Sequence, residues 1–259
     1  MSKKFRGLTC VYCCKAPSST RDHVFARQFF MEGNRSNLPQ VPSCSACNVR
    51  KSELEHYAAT VMPFGGQHDD AVDSLTKSVT RRLKKNQKLL RTLIAGRRDV
   101  WFQWSSKIAQ LTMTLPVDGL RMVQLFELIG KGLAWHHWKH YLDSNYHIQV
   151  LFPTLNYEGA LQSLFQLGST NCVQNDLGNG TVHYHGVCDP INPGVSAWRI
   201  SILGGIKFAD EKTGRAISGG VCVLIAHHSR IDARSVSTSH PHASETQREA
   251  VLARVSLEA

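Results

Sequence analysis

Two Cys-x-x-Cys pairs, Cys10/Cys13 and Cys44/Cys47, bracket one short segment near the start of the chain. Two residues between cysteines permit a tight turn that aims both sulfurs at one ion, and two such pairs supply the four thiolates of a tetrahedral structural zinc. Four unrelated buried thiols would not repeat the spacing. Cys14 allows an alternative Cys10/Cys14 pairing, but the match with the second pair favours Cys13 and leaves Cys14 to pack as a small hydrophobe.

Inside the bracket stand Asp22 and His23, in a stretch that reads as a turn followed by a short strand. Neighbours on a strand point to opposite faces, so one side chain is free to hold a metal while the other faces a substrate. Asn37 follows in the loop, and Asn48 directly follows Cys47.

The ordered set Cys10-x-x-Cys13, Asp22-His23-Val24, Asn37-Leu38, Cys44-x-x-Cys47-Asn48-x-x-Lys51 resembles the HNH family of nucleases over Leu8 to Met62. That resemblance implies a ββα-metal core, a β-hairpin followed by a helix, stapled by zinc. It makes His23 the general base, Asp22 and Asn48 ligands of a catalytic divalent cation, and Asn37 the residue that ties the loop to the strand carrying the histidine. Asparagine rather than histidine at position 48 directs the site towards Mg²⁺ or Mn²⁺, because both ligands then offer oxygen. Ala26 stands near where many members carry proline.

Phosphodiester hydrolysis asks for these residue types. An unperturbed histidine, with a pKa of about 6.5, is neutral near pH 7 and can accept a proton from water. A hard cation stabilises the charge that gathers on the phosphoryl and leaving oxygens. Lys51, one helical turn beyond Asn48, reads equally as a phosphate contact or as a solvated side chain.

The net charge of +10 is unevenly placed. Residues 1–60 and 61–100 each carry nine Lys/Arg against four Asp/Glu, whereas the remainder carries twelve of each. The whole excess therefore lies beside the zinc bracket, as a surface that follows a polyanion would have it. Residues 69 to 95 read as a helix opened by acids, with Arg81, Arg82, Lys84, Lys85 and Lys88 in its middle, and are assigned to nucleic-acid binding together with Lys51.

Pro63-Phe64-Gly65-Gly66 breaks the helix that starts near Asn48 and sets a boundary at 62. Trp101 to Leu115 reads as strand, its tryptophans as core. Val117 to Tyr141 is the strongest helix, residues 157 to 167 a further one, and four segments between His147 and Ala226 alternate as strands. Cys172, His183, His185 and Cys188 are too irregularly spaced for a second zinc site. Beyond His228 the chain turns Ser/Arg/His-rich, with a short helix expected at about Glu245 to Val255 and partial disorder around it.

The expectation is an α+β protein: an HNH module over 1–62, a basic helical linker region over 63–100, a mixed C-terminal domain over 101–228 that offers a route to homo-oligomers, and a tail over 229–259. No apolar run reaches membrane-spanning length and no signal peptide is read, so the chain is expected in the cytoplasm, where thiolates stay reduced. The expected function is metal-dependent cleavage of DNA, more readily double-stranded, in restriction, phage defence or a mobile element. The alternative is a non-catalytic zinc-dependent DNA-binding module of the same fold.

Overall fold

A computed structural model of the protein describes residues 5–102, 110–153, 163, 165, 171–206, 208–210, 216–217, 220–228 and 251–255. The architecture is mixed helix and sheet, α+β. Strands β1 (Thr20–His23) and β2 (Gln40–Ser43) pair antiparallel, with Asp22 opposite Val41 and His23 opposite Gln40. Helix α1 (Ser45–Val61) follows at once and runs into a 3-10 turn, Met62–Gly65, where Pro63 withholds the N–H that another α turn would need.

The single helix expected over 69 to 95 is broken. Helix α2 (Asp69–Ser74) passes through a π turn, Leu75–Val79, into α3 (Thr80–Lys85), and a bend at Asn86 opens α4 (Gln87–Ala95). Asn86 leaves helical geometry and its side chain accepts the Leu89 N–H, the N-cap role that asparagine favours. Lys85 and Lys88 therefore flank a corner.

Strands β3 (Arg98–Phe102) and β4 (Gln110–Val117) lead into α5 (Gly119–Trp138), capped by the Asp118 carboxylate on the Arg121 N–H. Strands β5 (Tyr146–Leu151), β6 (Cys172–Leu177), β7 (Val182–Cys188), β8 (Ser196–Ile202) and β11 (Val221–His227) form an antiparallel sheet in the order β5-β11-β8-β7-β6. A second sheet, β10-β9-β12-β4-β3, adds β9 (Phe208–Asp210), β10 (Ala216–Ile217) and β12 (Val251–Val255). Val251–Val255 is thus a strand between β4 and β9, where the sequence pointed to the end of a helix. Residues 231–250, and all of 157–167 except Ser163 and Phe165, lie outside the described residues.

Helix α5 is the spine against which both halves pack. Leu125, Phe126, Ile129 and Leu133 are buried, and two glycines let its backbone come close on either side. A Cβ on Gly132 would meet Val24 of the hairpin at 3.0 Å, and one on Gly130 would meet Val223 of β11 at 2.8 Å. One hydrophobic cluster consequently runs from Phe5 through Val24, Phe25 and α5 to Trp198 and Ile225, crossing the boundary expected at Met62. A polar tie reinforces it: the buried Asp70 accepts from the Met31 N–H at 3.2 Å and the Thr181 hydroxyl at 2.5 Å. Trp101 departs from its expected core place, since edge strand β3 leaves it 72% exposed. Among the described residues no helix is long and apolar enough to cross a membrane.

Candidate metal centre and reaction site

The first cysteine pair lies on a small loop closed by Cys10 N–H to Ala16 O at 2.8 Å and Ser18 N–H to Leu8 O at 2.6 Å. The second pair is the opening turn of α1: Cys44 is the N-cap residue, and its carbonyl accepts the Asn48 N–H at 3.0 Å. Val11 N–H to Pro42 O at 3.0 Å binds the first loop to the end of β2. The four sulfurs of Cys10, Cys13, Cys44 and Cys47 lie within 4.8 Å of one another. Tetrahedral zinc with bonds of about 2.3 Å sets its sulfurs roughly 3.8 Å apart, so this donor set fits a structural zinc.

The thiols divide electrostatically. Burial pushes Cys10 and Cys47 up; Cys13 is burdened by burial too, but the Ala16 and Lys15 N–H groups and the thiols of Cys10 and Cys47 bring it down to about 7. Cys14, with φ of 53°, turns away and donates to Leu142 O at 3.4 Å, so the pair is Cys10/Cys13.

Asp22 and His23 end β1 with their side chains on opposite faces, as the strand requires. The Asp22 Oδ2 accepts the Tyr12 hydroxyl at 2.5 Å and lies 3.0 Å from the Lys51 ammonium. Oδ1 makes no hydrogen bond among the described residues and is not sealed from solvent. The half-buried His23 ring is held at Nε2, 2.8 Å from the Gln40 carboxamide nitrogen on the facing strand. Burial pulls the His23 pKa below its ordinary value; Asp22 opposes this, while Arg27, Lys51 and Arg21 add to it. The shift favours the neutral imidazole, the form a base needs.

Lys51 corrects the sequence reading. It is neither solvated nor a phosphate contact: its side chain is wholly buried, and the ammonium donates to the His23 carbonyl at 2.7 Å, reaches Asp22, and closes tightly on Glu55. It clamps α1 to β1. Asn48 stands one turn earlier on the same helix, three residues before Lys51. Burial, and then the Asp22 charge, push the Glu55 carboxyl up in spite of Lys51. Removing one partner of such a network strands the others, so Lys51→Met is expected to cost about 3–5 kcal/mol in urea unfolding. Adding Glu55→Gln should recover part of that loss; a wild-type midpoint for Lys51→Met would show the clamp to be dispensable.

Asn37 sits exposed in the loop with φ of 55°, the left-handed region asparagine tolerates. The tie between loop and strand is made by backbone instead, Val24 N–H to Pro39 O at 2.9 Å. Of the basic residues, Arg81, Lys84, Lys85 and Lys88 are exposed, whereas the half-buried Arg82 donates to Ala59 O at 2.7 Å near the end of α1. Tyr12, Gln40 and Glu55 are site neighbours that sequence reasoning missed. Glu55, four residues beyond Lys51, carried a signal in its helical spacing; Tyr12 and Gln40 meet the site only through the fold.

Searches against family models, curated proteins and solved structures found no match for this chain.

Proposed function

We propose that the chain is a metal-dependent endonuclease of the HNH type that hydrolyses phosphodiester bonds in DNA. The observation that carries the reading is the convergence on one four-cysteine-stapled hairpin and helix of a neutral, partly exposed histidine, a carboxylate with one uncommitted oxygen, and an asparagine one turn from the lysine that grips that carboxylate. Asp22 Oδ1 and the Asn48 carboxamide oxygen form a donor set suited to a hard cation, Mg²⁺ or Mn²⁺, which when bound supplies charge stabilisation at the phosphoryl group.

The chain's own residues do the rest. Tyr12 and Lys51 fix the carboxylate through Oδ2 and leave Oδ1 without a hydrogen-bond partner among the described residues. Gln40 pins the imidazole; with its carboxamide oxygen turned to an Nε2–H, Nδ1 keeps a lone pair to accept the proton of an attacking water. Double-stranded DNA as the substrate follows from the family resemblance.

The rival reading, a DNA-binding module without catalysis, draws on the same Asp22: a carboxylate committed to Tyr12 and Lys51 already has a structural use. Incubation of purified protein with plasmid and linear duplex under Mg²⁺, Mn²⁺ or EDTA separates the two. Cutting with either metal and none in EDTA is expected; binding without cutting under every divalent metal would favour the binder.

A further inference from the structure

Along α1, Asn48, Ser52 and His56 follow at four-residue intervals and so form one stripe. It begins at the candidate centre and ends in an open cleft of about 580 Å³ lined by His56, Arg81, Arg82, Lys85 and Lys88, with the carboxamides of the α3–α4 bend between them. Among the described residues no carboxylate lines this cleft. A neighbouring hollow of about 340 Å³, lined by Gln28, Ser52, Glu53, Asn86 and Arg121 among others, shares His56 and Asn86 with it and bridges the stripe to the 3-10 turn that follows β1; its one carboxylate, Glu53, places an anion on the cleft side of His56.

The cations of the cleft have no counter-charge of their own. Nearby Lys77 is paired with Asp73, but among the described residues none of Arg81, Arg82, Lys85 and Lys88 forms an ion pair with a carboxylate. Their crowding is felt: burial and then Arg82 lower the His56 pKa, and burial and then Arg81 lower that of Arg82. An anion would relieve both. Eight helical residues separate Asn48 from His56, about 12 Å at 1.5 Å each. At roughly 3.4 Å of rise per nucleotide that is the span of three to four nucleotides.

We propose that this cleft is a backbone-phosphate site, holding the strand that is cut at the hairpin and helix about three to four nucleotides from the scissile bond. The inference rests on the nuclease reading for its place along the strand, though not for the site's affinity for phosphodiesters. Repeated cations and carboxamides at the end of a stripe leading from the centre suit an extended polyphosphate chain better than a compact anion.

The test uses the full chain with Arg81, Lys85 and Lys88 replaced together by Gln; all three are exposed, and Arg82 is left in place because it holds Ala59. Replacing Lys15, Arg91 and Arg97 by Gln removes the same charge outside the cleft and serves as the control. Fluorescence anisotropy with duplex DNA, without added Mg²⁺ or Mn²⁺ and with the zinc retained, over a range of KCl should show the slope of log affinity against log salt falling by about two to three for the cleft variant and by clearly less for the control. With metal, wild type should cut duplexes that extend past the cleft more than tenfold better than ones ending two nucleotides from the cut, and the cleft variant should lose that preference. If the slope changes but nothing ever cuts, the cleft stands and the nuclease reading falls. If wild type cuts yet slope and length preference match the control, the cleft is overturned and the nuclease reading stands; absence of DNA binding by zinc-loaded protein without added Mg²⁺ or Mn²⁺ also overturns it.

Discussion

Replacing Cys44 with serine should remove the zinc and, with it, the ordered start of α1. Cys44 joins the end of β2 to the start of α1 and contributes one of four sulfurs gathered from the first loop and the opening helical turn, so loss of its thiolate frees three segments together even though serine suits the N-cap position. Zinc bound by such sites is worth about 10–16 kcal/mol in small zinc-dependent peptides, and binding there is folding. The hairpin β1–β2 is too short to hold itself without the staple. What remains is its packing on α5 through Val24 and Gly132 and the Lys51 clamp from α1, and the clamp depends on the start of α1 that the zinc orders. Elemental analysis is expected to give one zinc per wild-type chain and almost none for Cys44→Ser. Hydrogen exchange should collapse over β1, β2 and the first turns of α1 while α5 and the sheet around β8 keep their protection. Cys14→Ser should retain zinc and protection, since its thiol meets the Leu142 carbonyl and no metal ligand. Wild type that is folded and zinc-free, or a Cys44→Ser variant protected like wild type, would sink the assignment.

The site was legible in the sequence where chemistry is local. Two Cys-x-x-Cys pairs, an Asp-His dipeptide and an asparagine after Cys47 are read without knowing the fold, and they fall on one loop, one hairpin and one helix that are consecutive in the chain. Lys51 was misread because its neighbours on the helix, Arg50 and Ser52, are polar and nothing local says that its face turns inward. Its three oxygen partners come from β1 and from the next helical turn, with the Tyr12 ring 5.8 Å from the ammonium. Trp101 erred in the opposite direction: an apolar pattern does not tell a central strand from an edge, and β3 is an edge. The break at Asn86 was hidden by continuous helical periodicity on either side, yet it gives the basic helix a corner and so makes a cleft out of what would have been a stripe. The strand at Val251–Val255 could not be read locally either, because its partners β4 and β9 lie far back in the chain.

His23→Ala is expected to lower cleavage by about 10²–10⁴-fold, the range that a positioned general base supplies. Zinc content and DNA affinity should stay near wild type, because the ring touches Gln40 and neither the four sulfurs nor the cleft at His56. Asp22→Ala and Asn48→Ala should fail differently. Each removes one oxygen donor from a weakly held hard cation, so part of the activity should return at high Mg²⁺ or with Mn²⁺, whereas no metal concentration replaces a missing base. Asp22→Ala carries a second cost, because it also leaves Lys51 and Tyr12 without their shared acceptor; its unfolding midpoint should drop while that of His23→Ala does not. The pH profile gives the independent sign. Burial and the charges of Arg27, Lys51 and Arg21 hold the His23 pKa below 6.5, so the proton that blocks the base is lost before neutrality. Cleavage should rise with pH through a range centred below the ordinary histidine value and then level off. Arg27→Gln, which removes an exposed cation that holds the pKa down, should move that rise towards higher pH while leaving the plateau unchanged. Retention of wild-type cleavage by His23→Ala, still abolished by EDTA, would move the base to another group; a profile that ignores Arg27→Gln would show that the titration seen is not that of His23.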